Sequence, residues 1–196
     1  MCHHGDTADP HVDLVGAVER LVARTHAPDR TLDEAQQDLV RQCRLMDLLR
    51  LNIARDAAAI DDALRATDDA HTSLIPFLTH DCRMAAGEAS NALCVGQQID
   101  TLERSVEAVH EGGIGFAHLA LMAHTKQHIE VNGARLDETR LLKRARVTSP
   151  NEFRRDCTHA RHAADADRFR EQEAAGTLEN FLELRGPSAD SGMWLR

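Results

Sequence analysis

Between residues 39 and 64 an apolar side chain returns every three, four or seven positions: Leu39, Cys43, Met46, Leu49, Ile53, Ile60 and Leu64. Steps of that size keep to one face of a 3.6-residue helix and are incompatible with the two-residue period of a strand. Thr31-Leu32-Asp33-Glu34 opens the pattern as a capping box, with the glutamate three residues after the threonine. The pattern persists to about Arg65 and reads as one long amphipathic helix or two in tandem. A helix this long must lay its apolar face on something, in the same chain or in a second copy. A homodimer formed through the helix near 32–65 is therefore one expectation.

The rest of the chain repeats the theme in shorter pieces. Asp9-Pro10 is a helix start, followed by Leu14, Val18, Leu21 and Val22 on one face to about Arg24. After a polar joint at 68–73 come a short segment at 74–78, a turn around 80–83, and helices over 86–99, 102–110 and 116–128. Asn132-Gly133 marks a turn. Residues 135–147 and 150–163 follow as a basic helical pair, with Ser149 as N-cap before Pro150. Aromatic residues make up only 3% of the chain, without a single Tyr, so the core must be aliphatic, which suits packed helices better than sheets. The final stretch differs. Thr177 to Leu184, the loop Gly186 to Gly192 and Met193 to Arg196 read as a β-hairpin whose second strand is truncated. The expected architecture is mainly α: an N-terminal extension with one helix (1–30), a multi-helix domain (31–176) and a small C-terminal β element (177–196).

Charge narrows the partners. The net charge is −9. Residues 1–134 hold 11 basic and 21 acidic side chains, a balance of −10, whereas residues 135–170 hold 10 and 6, a balance of +4. An acidic protein repels nucleic acid except where cations cluster. The DNA-contact candidates are Arg140, Lys143, Arg144, Arg154, Arg155 and Arg161, which would form a stripe if the two basic helices present one face. The bland alternative pairs them with Glu138, Glu152, Asp156 and the acidic N-terminal half. The five cysteines form no C-x-x-C pair and read as reduced, buried small hydrophobes. No apolar run reaches a membrane span and the start carries no secretory signal, so no membrane and a cytoplasmic location are expected.

Other chemistry is thinly supported. His124 and His128 are four apart on a helix, the spacing of helical zinc sites, but Thr125-Lys126-Gln127 between them lacks a catalytic glutamate. His159 and His162 with Cys157 form a second loose group. Surface or packing roles are the expectation for all of them, and a histidine-based metal protein is the weakest functional alternative. Asp61-Asp62 and Asp68-Asp69 read as solvated pairs, and Gly112-Gly113-Ile114-Gly115 as a helix-breaking turn. Residues 73–99 have the outline of a helix–turn–helix, yet the second helix would expose no arginine, so a structural pair is the better reading. No catalytic residue is assigned.

Three stretches carry a resemblance. They are Leu78-Thr79-His80-Asp81-Cys82-Arg83-Met84-Ala85-Ala86-Gly87-Glu88-Ala89-Ser90, then Gly113-Ile114-Gly115-Phe116-Ala117-His118-Leu119-Ala120-Leu121-Met122-Ala123, and finally Arg161-His162-Ala163-Ala164-Asp165 leading to Asp190-Ser191-Gly192-Met193-Trp194-Leu195. In that order they resemble the N-terminal domain of unknown function 222 of HNH-endonuclease-like proteins from high-GC bacteria, over roughly residues 31–196. The many Arg and Ala residues agree with a high-GC coding bias. In that family the helical domain precedes a ββα-metal nuclease motif, and this chain reads as stopping before it. The resemblance therefore implies a non-catalytic, DNA-associated module with no cofactor of its own, any divalent metal belonging to the absent nuclease domain. The alternative is a helical module for protein interaction or self-association.

Overall fold

The helix anticipated from the apolar spacing is continuous: α2 runs over Leu32–Arg65 in a single computed structural model that describes residues 10–25, 29–66 and 73–174. Among the described residues all regular structure is helical. In chain order it comprises α1 (Pro10–Thr25), α2, α3 (Ile75–His80), α4 (Ala86–Gln98), a 3-10 turn at Ile99–Thr101, α5 (Glu103–His110), α6 (Phe116–Val131), α7 (Glu138–Ala145) and α8 (Pro150–Ala174). The expected hairpin at 177–196 lies outside the described residues, as do Cys2, Asp9 and Asp68-Asp69. The chain divides into two compact units, residues 1–47 and 48–196, the division falling inside α2.

In the first unit the capping box forms as the sequence dictates. Glu34 accepts from the Thr31 N–H and hydroxyl at 2.9 Å each, and Thr31 Oγ1 accepts from the Glu34 N–H at 3.3 Å. Those hydrogen bonds, ahead of the nearby arginines Arg24 and Arg30, hold the Glu34 carboxyl below the usual carboxylate range. One turn further, Asp38 is buried and ion-paired to Arg24 and Arg30, both at 3.2 Å, and to Arg41 at 3.6 Å.

The second unit is built around α6, whose residues are buried nearly all round. Such a helix needs partners on every side, and α4, α5, α7 and α8 supply them. The core includes Leu51, Val95, Leu102, Val109, Leu119, Met122, Leu141 and Phe153, with a smaller cluster of Ala57, Leu74, Leu78 and Ala89 beneath α3. Residues Leu51, Ala54, Ala57 and Asp61 of α2 are buried, and Gly96 of α4 lies directly on the Ala54 carbonyl. Only a residue without a side chain permits so close a crossing.

Several expectations need correction. Helix α7 starts at Glu138 rather than Arg135, because Asp137 accepts from the Arg140 N–H at 3.0 Å and so caps the helix there. Helix α6 extends a turn past 128 to Val131, where Gly133 (φ +79°) breaks away. Helix α8 continues to Ala174. Asp61 is not solvated: it is buried, accepting from Gln97 Nε2 at 3.1 Å and paired with Arg65 at 2.7 Å. Cys94 and Cys157 are buried, whereas Cys43 and Cys82 are exposed. The outline at 73–99 is a structural pair. Helix α4 packs on α3 and α6, and its Asn91 and Gln97 are spent inside the fold on His124 and Asp61.

Candidate nucleic-acid interface

The basic segment folds as α7, a tight turn and α8. At the turn, Ser149 and Glu152 form a second capping box: Glu152 accepts from the Ser149 N–H and hydroxyl at 2.9 and 2.8 Å. The same bonds, followed by Arg155 and Arg144, lower the Glu152 carboxyl from its ordinary value. Phe153, Cys157 and Ala164 recur at helical spacing and are buried. His118 fastens the turn to α6. Its Nδ1 accepts from the Gly115 N–H at 3.3 Å, its Nε2 meets the Thr148 carbonyl at 3.0 Å, and its ring lies 5.6 Å from that of Phe153.

Of the carboxylates closest to the basic segment, two are held as helix caps and one takes a cation. Glu138 accepts from the N–H and hydroxyl of Ser105 at 2.9 and 2.7 Å, capping the start of α5. Glu152 serves as a cap on its own helix. Asp156 alone of the three takes a candidate cation, Arg144, at 3.2 Å. Arg146 pairs with Glu111 at 3.4 Å. Arg140, Lys143, Arg154 and Arg155 are exposed and make no ion pair among the described residues. Nothing in the sequence announces the Glu138 cap, because its partner lies 33 positions away.

The six candidates do not form one stripe. Successive residues turn by about 100° around a helix. Asp156 and Ala163 face α7, lining with Arg140 and Arg144 a groove of about 590 Å³ floored by Ile129 and Leu141. Arg154 and Arg161 are seven apart and share the opposite, α6 side of α8, where the Arg161 charge reaches His124. Arg155 points between the two. Arg140, Lys143 and Arg144 thus stand on the α7 flank and Arg154 and Arg161 on the α6 flank, with Arg155 on the ridge. Such a surface can meet phosphates on either side of the ridge, but it offers no single line of bidentate base contacts.

The histidine pair at 124 and 128 is divided between partners. His124 Nε2 meets Asn91 Oδ1 at 3.0 Å, and His128 Nε2 meets Asp165 Oδ1 at 3.0 Å, with Asn132 also on Asp165 at 2.6 Å. Cys157 is buried away from the exposed His159 and His162, and among the described residues no three His, Cys, Asp or Glu side chains gather to hold a metal. His124 is half-buried. Burial, then the nearby Arg161 charge, lower its pKa, so the folded chain favours the neutral ring that donates to Asn91. A histidine depressed by folding contributes stability above its unfolded value, about 6.5, and loses it as the pH falls through the folded value. The urea midpoint should therefore fall between neutral and mildly acidic pH, and His124→Gln should flatten that fall. An equal fall in the variant would assign the acid sensitivity elsewhere.

Comparison with known proteins adds nothing to this geometry: no family model, no curated protein and no solved structure matches the chain. No helix among the described residues is long and apolar enough to cross a membrane.

Proposed function

We propose that this chain is a non-catalytic, DNA-associated helical module of an HNH-endonuclease-like protein, acting by positioning rather than by chemistry. The observation that carries the reading is the state of the α7–α8 cations. Two of the three carboxylates nearest in sequence are hydrogen-bonded as helix caps, Glu152 with its charge still acting on Arg155 and Arg144, and Arg140, Lys143, Arg154 and Arg155 are exposed and make no ion pair among the described residues. Exposed cations without partners cost the fold little and remain available to phosphates. The order of the three family-like stretches supports the wider context. The middle one supplies Gly115 and His118, which hold the start of α6 against the turn before α8.

Contact of this kind is to backbone, so it should be tolerant of sequence. The test is fluorescence anisotropy of a labelled duplex with the whole chain and with Arg140→Ala/Lys143→Ala/Arg155→Ala. Loss of three phosphate contacts should weaken binding at least tenfold at low salt and reduce the salt slope by about 3. Because all three side chains are exposed, the helix content should not change. Binding equal to the wild type would remove the α7–α8 surface from the account.

A further inference from the structure

The groove between α7 and α8 has an apolar floor that contact with phosphates does not use. It runs beside α8 from Asp156 to Asp167, about 16 Å at the helical rise per residue, and has a volume of about 590 Å³. Ile129, Leu141 and Ala164 are buried beneath it, and Leu136, Ala160 and Ala163 line it beside them. The volume lies within the range of small-molecule sites. Spread over that length it gives a cross-section of roughly 37 Å², or roughly 6 Å across, narrower than the ~10 Å of a helix with its side chains. An extended peptide would set unpaired amides on an apolar floor. A linear apolar chain has neither difficulty.

The charges on the rim indicate what such a chain carries. Arg144 takes Asp156 at 3.2 Å, and Asp167 takes Arg170 at 2.6 Å. Asp137 accepts from the Arg140 N–H at 3.0 Å as the cap of α7, and His159 adds a ring on the α8 side. Arg135 and Arg140 are exposed on the rim and make no ion pair among the described residues. Counting Arg170, four guanidinium groups stand with three carboxylates, an excess of one positive charge. A guanidinium meets a carboxylate through two parallel hydrogen bonds, so a single carboxylate suits both the excess and its geometry.

We infer that the groove binds a small amphipathic monoanion, a carboxylate on a linear apolar chain. Arg140 receives the carboxylate, with Arg135 as the second cation, and the chain lies on Leu136, Leu141 and the alanines of α8. Binding of this kind goes beyond DNA association and does not rest on it. The two share Arg140, so a bound anion competes with a duplex at that residue alone.

Amide NMR titration of the isotope-labelled full chain at neutral pH tests the site, with octanoate as the probe. Octanoate should give saturable shifts over residues 135–144 and 156–167. Acetate, the head without the chain, and octanol, the chain without the charge, should each bind at least about tenfold more weakly. Arg140→Ala should weaken octanoate by about tenfold and leave octanol unchanged. Ala163→Phe fills the groove from an exposed position and should abolish the shifts from both. Should Ala163→Phe lose helix content, the comparison at Arg140, an exposed side chain, decides instead. The absence of saturable shifts from octanoate overturns the proposal, as do shifts undiminished in Arg140→Ala. Acetate binding as tightly as octanoate overturns it in favour of an adventitious ion only, and octanol binding as tightly overturns the anionic class.

Discussion

Phe153→Ala is expected to cost about 3–5 kcal/mol, the range for removing a fully enclosed aromatic ring. Phe153 has no exposed surface and occupies the first turn of α8, beside the ring of His118, whose Nε2 meets the Thr148 carbonyl. Removing the ring opens a cavity among α6, α7 and α8 and loosens the lock on the α7–α8 turn. With a total stability typical of a domain this size, such a loss takes a large share of the margin. Urea denaturation followed by circular dichroism reads it as a large drop in midpoint. A change under 1 kcal/mol would mean that the α6–α8 interface is not the centre of the second unit. Phe153→Leu, which refills most of the volume, should recover the larger part.

Gly96→Val should be comparably damaging, for the opposite reason. A Cβ at this position would sit 2.1 Å from the Ala54 carbonyl oxygen and 2.8 Å from the Ala58 Cβ. The obstacle is backbone, so no rotamer relieves it and α2 must move off α4. Gly96→Ala tests the same point more gently. Helix propensity alone would stabilise that variant by about 1 kcal/mol. Overpacking against a carbonyl should reverse the sign, for a net loss of about 2 kcal/mol, with Val worse. Gly87 is the control, since nothing lies within 4 Å of the corresponding position and Gly87→Ala should be neutral or slightly stabilising. If both glycines gained from alanine, the close crossing of α2 and α4 would be wrong.

The contrast between these glycines shows where sequence reasoning succeeds and stops. Both stand in one helical pattern, and only the packed structure tells which is required. The helices with an apolar period, α1, α2 and α5, are readable to within a residue or two, but in α2 the periodic Leu39, Met46, Leu49, Ile53 and Ile60 are 42–61% exposed and the buried residues are Leu51, Ala54, Ala57 and Asp61, a face the spacing did not indicate. Helix α8 runs eleven residues past its expected end. After Ala164 the apolar spacing that marks the helix stops, and polar contacts no periodicity reveals, Asp165 with His128 and Asn132 and Arg168 with Asn132, tie α8 to the end of α6. The extra turn of α6 is hidden similarly, since a helix buried on every side has little amphipathic signal to mark its end. At the candidate site the cations are visible as a local excess of charge. Whether they are free is not, because Glu138 is committed to Ser105 from another helix and Asp61 to Gln97 from 36 positions away. Cys43 and Cys82 are missed for a related reason: residue type predicts average burial, and only packing assigns the particular case.

The salt dependence of duplex binding by the unmodified chain counts its phosphate contacts. Phosphate contact through about four of the α7–α8 cations predicts an association constant that falls with log–log slope of about −3 to −4. Between about 50 and about 200 mM salt that is a loss of roughly a hundredfold. A slope near zero, or no association at the lowest salt, would contradict the account and leave the chain an interaction module without a nucleic-acid partner.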